Sequence, residues 1–165
     1  MRISGLVNDS IVDGPGLRFS VFTQGCAHHC PGCHNPHTWD FKGGYEESVE
    51  NIMEQIKKNP LLDGVTLSGG DPFYQIEDSL KIAKECKKLG LTVMAYTGFL
   101  FEELIELGKT NKAYLEFLEY ADWIVDGPFI LAQRDLSLHF RGSSNQRIID
   151  VPHYLKTGEI KHVEL

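Results

Sequence analysis

Three of the four cysteines in this 165-residue chain crowd into one short stretch, Cys26-Ala-His-His-Cys30-Pro-Gly-Cys33. Secreted disulfide frameworks spread an even number of cysteines along the chain, so this crowding points to a reducing compartment and to a loop built around an inorganic site. The preceding segment, Leu17 to Gln24, alternates apolar and polar residues with β-branched and aromatic content and stops at Gly25, which reads as a strand. The fold must therefore carry the cysteine loop at the C-terminal end of a strand.

Three thiolates can hold three irons of a [4Fe-4S] cluster and leave the fourth iron open to a small molecule. Structural zinc is the other reading of the same residues, with Cys26, Cys30 and Cys33 joined by His28, His29, His34 or His37 in a Cys3His site. Spacing alone leaves both open. Unligated packing cysteines fit poorly, because Gly25, Pro31 and Gly32 make this a polar loop. Cys86 differs: it falls in a helical stripe with Ile82, Ala83 and Leu89 and reads as a packing residue.

The rest of the chain bounds the setting. A length of 165 residues suits a single domain, and 42% hydrophobic with 24% charged residues is ordinary globular composition. The net charge of −7 is the wrong sign for gripping nucleic acid or anionic lipid. No stretch approaches the ~20 apolar residues of a membrane span, and Asn8 and Asp9 interrupt any signal-peptide core, so a soluble cytoplasmic protein is expected.

Helical spacing appears in Ser48 to Lys58, Gln75 to Leu89, Phe99 to Leu107 and Ala113 to Tyr120. Short apolar runs at Val65 to Ser68, Leu91 to Thr97, Trp123 to Val125 and Ile148 to Ile149 read as further strands. This alternation predicts an α/β fold with a parallel sheet of about five to six strands covered by helices, too short for a closed eight-unit barrel of ~250 residues. The sheet is then doubly wound or a partial, laterally open barrel, with ligands at the loops after the strands. One such loop, Ser68-Gly69-Gly70-Asp71-Pro72, lets backbone approach a ligand closely and supplies carbonyls and a carboxylate suited to an ammonium group, although a plain turn would look the same.

The cysteine loop followed by Gly69-Gly70-Asp71 resembles the radical S-adenosylmethionine (SAM) enzymes. The finer match takes in Ile11-Val-Asp-Gly-Pro-Gly-Leu-Arg18, Cys30-Pro-Gly-Cys-His-Asn35, Thr38-Trp39, Tyr96-Thr-Gly98, Val125-Asp-Gly127 and Arg141-Gly-Ser-Ser-Asn-Gln146. Together these resemble the activating proteins of the anaerobic, class III ribonucleoside-triphosphate reductases, over residues 11 to 147. The tail, 151–165, matches no known pattern.

This resemblance implies a partial (β/α) barrel of the radical SAM type in one domain, and an oxidoreductase of the kind that activates glycyl radical enzymes, formate C-acetyltransferase among them. Its cofactors would be a [4Fe-4S] cluster on Cys26, Cys30 and Cys33, and SAM held by the methionine end at Gly69, Gly70 and Asp71. Gly32, Cys33, His34 and Thr97 would reach adenine or ribose. Asp126 would bond the ribose hydroxyls or merely form a turn, and Arg141 and Asn145 would orient SAM or the partner loop or be exposed. An external one-electron donor such as flavodoxin or ferredoxin would reduce the cluster, SAM would be cleaved to methionine and a 5′-deoxyadenosyl radical, and that radical would take an α-hydrogen from a glycine of the reductase. The family pattern is usually aromatic where this chain has Gly32, and often Glu where it has Asp71. Rival readings are an activase of a different glycyl radical enzyme, a small radical SAM enzyme acting on a pterin-like molecule, and a non-enzymatic zinc module.

Overall fold

Parity along the strands decides how this chain is layered. A computed structural model describes residues 1–165. In β2 (Arg18–Thr23) and β4 (Gly64–Gly69), Phe19, Val21, Val65 and Leu67 point to one side and are fully buried, as are Val93 and Ala95 of β5 (Thr92–Tyr96). Against that side pack α1 (Val49–Lys57), α2 (Ile76–Lys88), α3 (Phe101–Gly108) and α4 (Ala113–Tyr120), and strand and helix residues share one core of 24 buried apolar residues. The stripe Ile52, Met53 and Ile56 supplies the buried face of α1, whose N-terminus is capped by Ser48 accepting from the Asn51 N–H at 3.0 Å.

The opposite side of the sheet is much more polar. Arg18 and Ser20 of β2 and Thr66 of β4 point there and are fully buried, with Met94, Val125 and Ile148 as the only buried apolar cluster. The Arg18 guanidinium donates to Thr66 Oγ1 at 2.8 Å, Thr92 Oγ1 at 2.8 Å, and the carbonyls of Pro15 and Val65, both at 2.9 Å. Burial lowers its pKa to about 10. It closes the N-terminal ends of β2, β4 and β5 with hydrogen bonds in place of apolar packing.

With β1 at Arg2–Ser10, β3 at Tyr45–Glu46, β6 at Trp123–Asp126 and β7 at Arg147–Asp150, seven strands lie in the order β3-β1-β2-β4-β5-β6-β7. The four strands β2, β4, β5 and β6 run parallel, and the sheet ends at two edges without closing. This is an α/β fold with a partial, laterally open barrel. Two expectations need correction. The sheet is mixed, because β1 (Arg2–Ser10) and β3 (Tyr45–Glu46) add antiparallel at one edge and β7 adds antiparallel at the other. The count is seven strands, where five to six were expected, because β1 and β3 carry no clean alternation. The tail also folds: α5 (Val151–Thr157) is capped by Asp150 and ends at Gly158, and the backbone of Val163 donates to Ile148 O at 2.8 Å. No helix is long and apolar enough to cross a membrane.

Candidate functional site

The C-terminal ends of the four parallel strands meet at one cavity of about 660 Å³. The loop after β2 contributes Cys26, Cys30, Cys33 and His34, β4 contributes Ser68 with Gly69 and Gly70, and the loop after β5 contributes Thr97 and Gly98. Val12 and Asp13 form one rim, and Phe129, Leu136, Phe140 and Arg141 the other. A second concavity of about 520 Å³ beside α3 is walled by Phe99, Glu102, Glu103, Glu106, Leu107 and Thr110 and has none of this chemistry.

All three loop cysteines are free thiols on one wall, with Cys26 buried and Cys30 and Cys33 half-buried. Burial pushes the Cys26 thiol up to about 11, opposed by the backbone N–H groups of His28 and His29. Cys30 is raised by burial too, and opposed by the N–H of Phe129 from across the cavity. The Asn35 N–H reaches Cys33 Sγ at 3.4 Å. Backbone donors are thus already aimed at the sulfurs, the arrangement that stabilises bound thiolates and tunes the potential of an iron–sulfur site. Cys86 sits in the helix-side core, fully buried, its thiol pushed up to about 12 by burial.

The donor set fits a cluster: each iron of a [4Fe-4S] centre takes one thiolate, so three cysteines on one cavity can supply three irons and leave the fourth without a protein ligand.

Asp71 is placed differently from its expected role. It is 1% exposed and does not line the cavity. Its Oδ2 accepts from His28 Nε2 at 2.8 Å, Thr97 Oγ1 at 2.8 Å and Gly98 N at 3.0 Å, while Oδ1 accepts from Phe73 N at 3.0 Å. The carboxylate thereby joins the cysteine loop, the Gly-Gly-Asp turn and the loop after β5. His28, whose role spacing did not reveal, is the link: its ring packs edge-on against Phe99 at 4.7 Å. Gly69 and Gly70 do line the cavity, but the close approach they permit is also to backbone, since a Cβ on Gly70 would lie 2.5 Å from Gly25 O and 2.9 Å from Thr38 O.

Thr97 is on the wall with its hydroxyl bonded to Asp71, and His34 is exposed beside Phe129, ring centroids 5.3 Å apart. Gly32 is off the wall at φ 77°, where a side chain would strike Leu131 Cδ1 at 2.8 Å. Leu131 and Phe129 fill the space an aromatic residue at 32 would take. Asp126 is also off the wall: it is fully buried, ion-paired with Arg147, and accepts from Phe101 N at 2.8 Å at the start of α3. Asn145 Nδ2 donates to Pro128 O at 2.8 Å. The surface loop considered for Arg141 is corrected by its side chain, which is 9% exposed and on the cavity wall.

The family described as "4Fe-4S single cluster domain" matches residues 12–149. The anaerobic ribonucleoside-triphosphate reductase-activating protein of Escherichia coli (strain K12) is 37% identical over 158 residues, covering 88% of this chain and 94% of that protein. The chain belongs to this family of radical SAM activating proteins. Its cofactors are a [4Fe-4S] cluster and SAM. The pyruvate formate-lyase-activating enzyme of Listeria monocytogenes is 34% identical over 174 residues, covering 98% of this chain and 68% of that enzyme. The crystal structure of QueE from Escherichia coli superposes at a TM-score of 0.48 with 19% identity, over 59% of this chain and 52% of that one.

Proposed function

We propose that this activase generates the glycyl radical of an anaerobic ribonucleoside-triphosphate reductase. What supports the choice of partner is that relatives 35–38% identical over 84–88% of this chain are named as activating proteins of that reductase. When bound, the cluster and SAM would supply one chemistry, reductive cleavage of SAM with an electron from an external one-electron donor, coupled to removal of an α-hydrogen atom from the target glycine.

The chain itself supplies ligands, orientation and shelter. Cys26, Cys30 and Cys33 would each ligate one iron, with the backbone donors at positions 28, 29, 35 and 129 facing their sulfurs. Backbone of Gly69 and Gly70 would receive the methionine end, and Asp71 would act by fixing that turn against Thr97 and His28. Cys33, His34 and Thr97 would meet the nucleoside, and Gly32 and Asp126 would contribute through the loops they shape. No side-chain acid or base is required, which agrees with a wall whose carboxylate, Asp13, is already hydrogen-bonded by Ser20 Oγ at 2.8 Å. The unclosed sheet edge leaves room for a polypeptide loop to enter.

The test is to reconstitute the chain anaerobically, add SAM and a one-electron reductant, and present the reductase and pyruvate formate-lyase in separate samples. A glycyl radical signal by electron paramagnetic resonance in the reductase alone is expected. A signal only in pyruvate formate-lyase would reassign the partner.

A further inference from the structure

The turn Arg141-Gly-Ser-Ser-Asn-Gln146 is bonded almost to completion. Gln146 Oε1 accepts from Gly142 N at 2.9 Å and Ser143 N at 3.2 Å, and its Nε2 donates to Gly127 O at 3.0 Å. The Arg141 guanidinium is gripped from two sides: Nη1 donates to Gln146 O at 2.8 Å, and Nη2 to Glu164 Oε1 of the tail at 3.1 Å. Two buried side-chain atoms in the whole molecule have no partner, Arg141 Nε and Asn145 Oδ1, and both belong to this turn.

A buried donor without an acceptor costs free energy, so a preorganised turn that leaves one unmet is built for something that arrives later. Arg141 lies on the cavity wall, and no other Lys or Arg does. SAM carries one anionic group, the carboxylate of its methionine moiety. The cavity's one permanent cation and its ligand's one anion are complementary, and a guanidinium suits a carboxylate in geometry as well as charge.

We infer that Arg141 is a SAM-positioning residue that neutralises the methionine carboxylate, with Glu164 of the C-terminal tail holding the guanidinium from its outer side. The inference rests on the SAM-dependent reading of the cavity. It gives the tail a part in the site, through an ion pair whose Glu164 member is itself 69% exposed.

The test compares two ligands on reconstituted protein by equilibrium titration, with iron content determined on the same samples: SAM, and decarboxylated SAM, which keeps the sulfonium, the amine and the nucleoside. In Arg141→Gln, SAM affinity should fall about 10- to 100-fold, while affinity for decarboxylated SAM and iron per chain stay at the parent's values. Arg141→Lys keeps the charge and loses the fork, so its loss for SAM should be smaller. Equal losses for both ligands in both variants would make Arg141 a prop of the loop and overturn the inference, as would unchanged SAM affinity in Arg141→Gln. A parent protein that binds neither ligand would overturn this inference together with the SAM-dependent reading beneath it.

Discussion

The two faces of the sheet solve opposite problems. The helix face is sealed by 24 mutually packed apolar residues, whereas the inner face has three, and otherwise carries Arg18, Ser20 and Thr66 with hydrogen bonds inside the barrel. One face supplies stability through burial at ~25 cal/mol per Å². The other gives up apolar area for buried, hydrogen-bonded polar side chains, and the cysteine cavity lies at the C-terminal ends of the same strands. A sheet that buried both faces equally would have no place for an exchangeable ligand.

The contrast is sharpest at the cysteines. Replacing Cys26, Cys30 or Cys33 by Ala should abolish SAM cleavage and cluster iron, whereas Cys86→Ala on the helix face should keep full iron and lose only about 1 kcal/mol of stability. Iron and sulfide analysis together with chemical denaturation check both halves. Loss of iron in Cys86→Ala would break the division between the faces.

The next largest effect lies in the helix-side core. Leu67 is fully buried between the sheet and its helices, so Leu67→Ala should cost roughly 2–5 kcal/mol. On the inner face, Ser20→Ala removes a small hydroxyl that bonds Asp13 and should cost about 1 kcal/mol. Denaturant midpoints for the two variants measure the difference, and equal losses would contradict the account of where stability resides.

At the rim joining the faces, Asp71→Asn replaces a carboxylate that accepts four hydrogen bonds by an amide that cannot accept them all. A loss of about 1–3 kcal/mol is expected. SAM affinity and iron retention should both weaken, because the carboxylate holds two loops at once. A variant that lost SAM affinity alone, with stability and iron intact, would restore Asp71 as a direct ligand contact. The smallest effect belongs to Glu164→Gln: its pair with Arg141 is solvent-screened on the glutamate side, so the midpoint of thermal unfolding should stay at the parent's value.

Much of this was legible in the sequence. The strand before the cysteines, the stripes of α1 and α2 and the limits of α4 follow from periodicity, and the strand-end loops fall where parallel-sheet topology places ligands. The edge strands escaped because β1 runs half-exposed with an irregular register against β2, so neither period dominates its sequence. At the site, residue type identified the cysteines and glycines, but not what closes over them. The bond from His28 to Asp71 spans 43 positions and the Phe129 amide facing Cys30 spans 99, and no local pattern carries contacts that distant. Asp71 and Asp126 looked like ligand residues because strand-end carboxylates often are, and their burial and bonding partners emerge only in three dimensions.

Three thiolates of one cavity would leave a single iron open to SAM. Mössbauer spectroscopy of protein reconstituted with 57Fe, recorded with and without SAM, tests it most directly. The account predicts that SAM alters the signal of one iron in four and leaves the other three unchanged. Four irons that do not respond to SAM, or a protein that takes up zinc and no cluster, would contradict it.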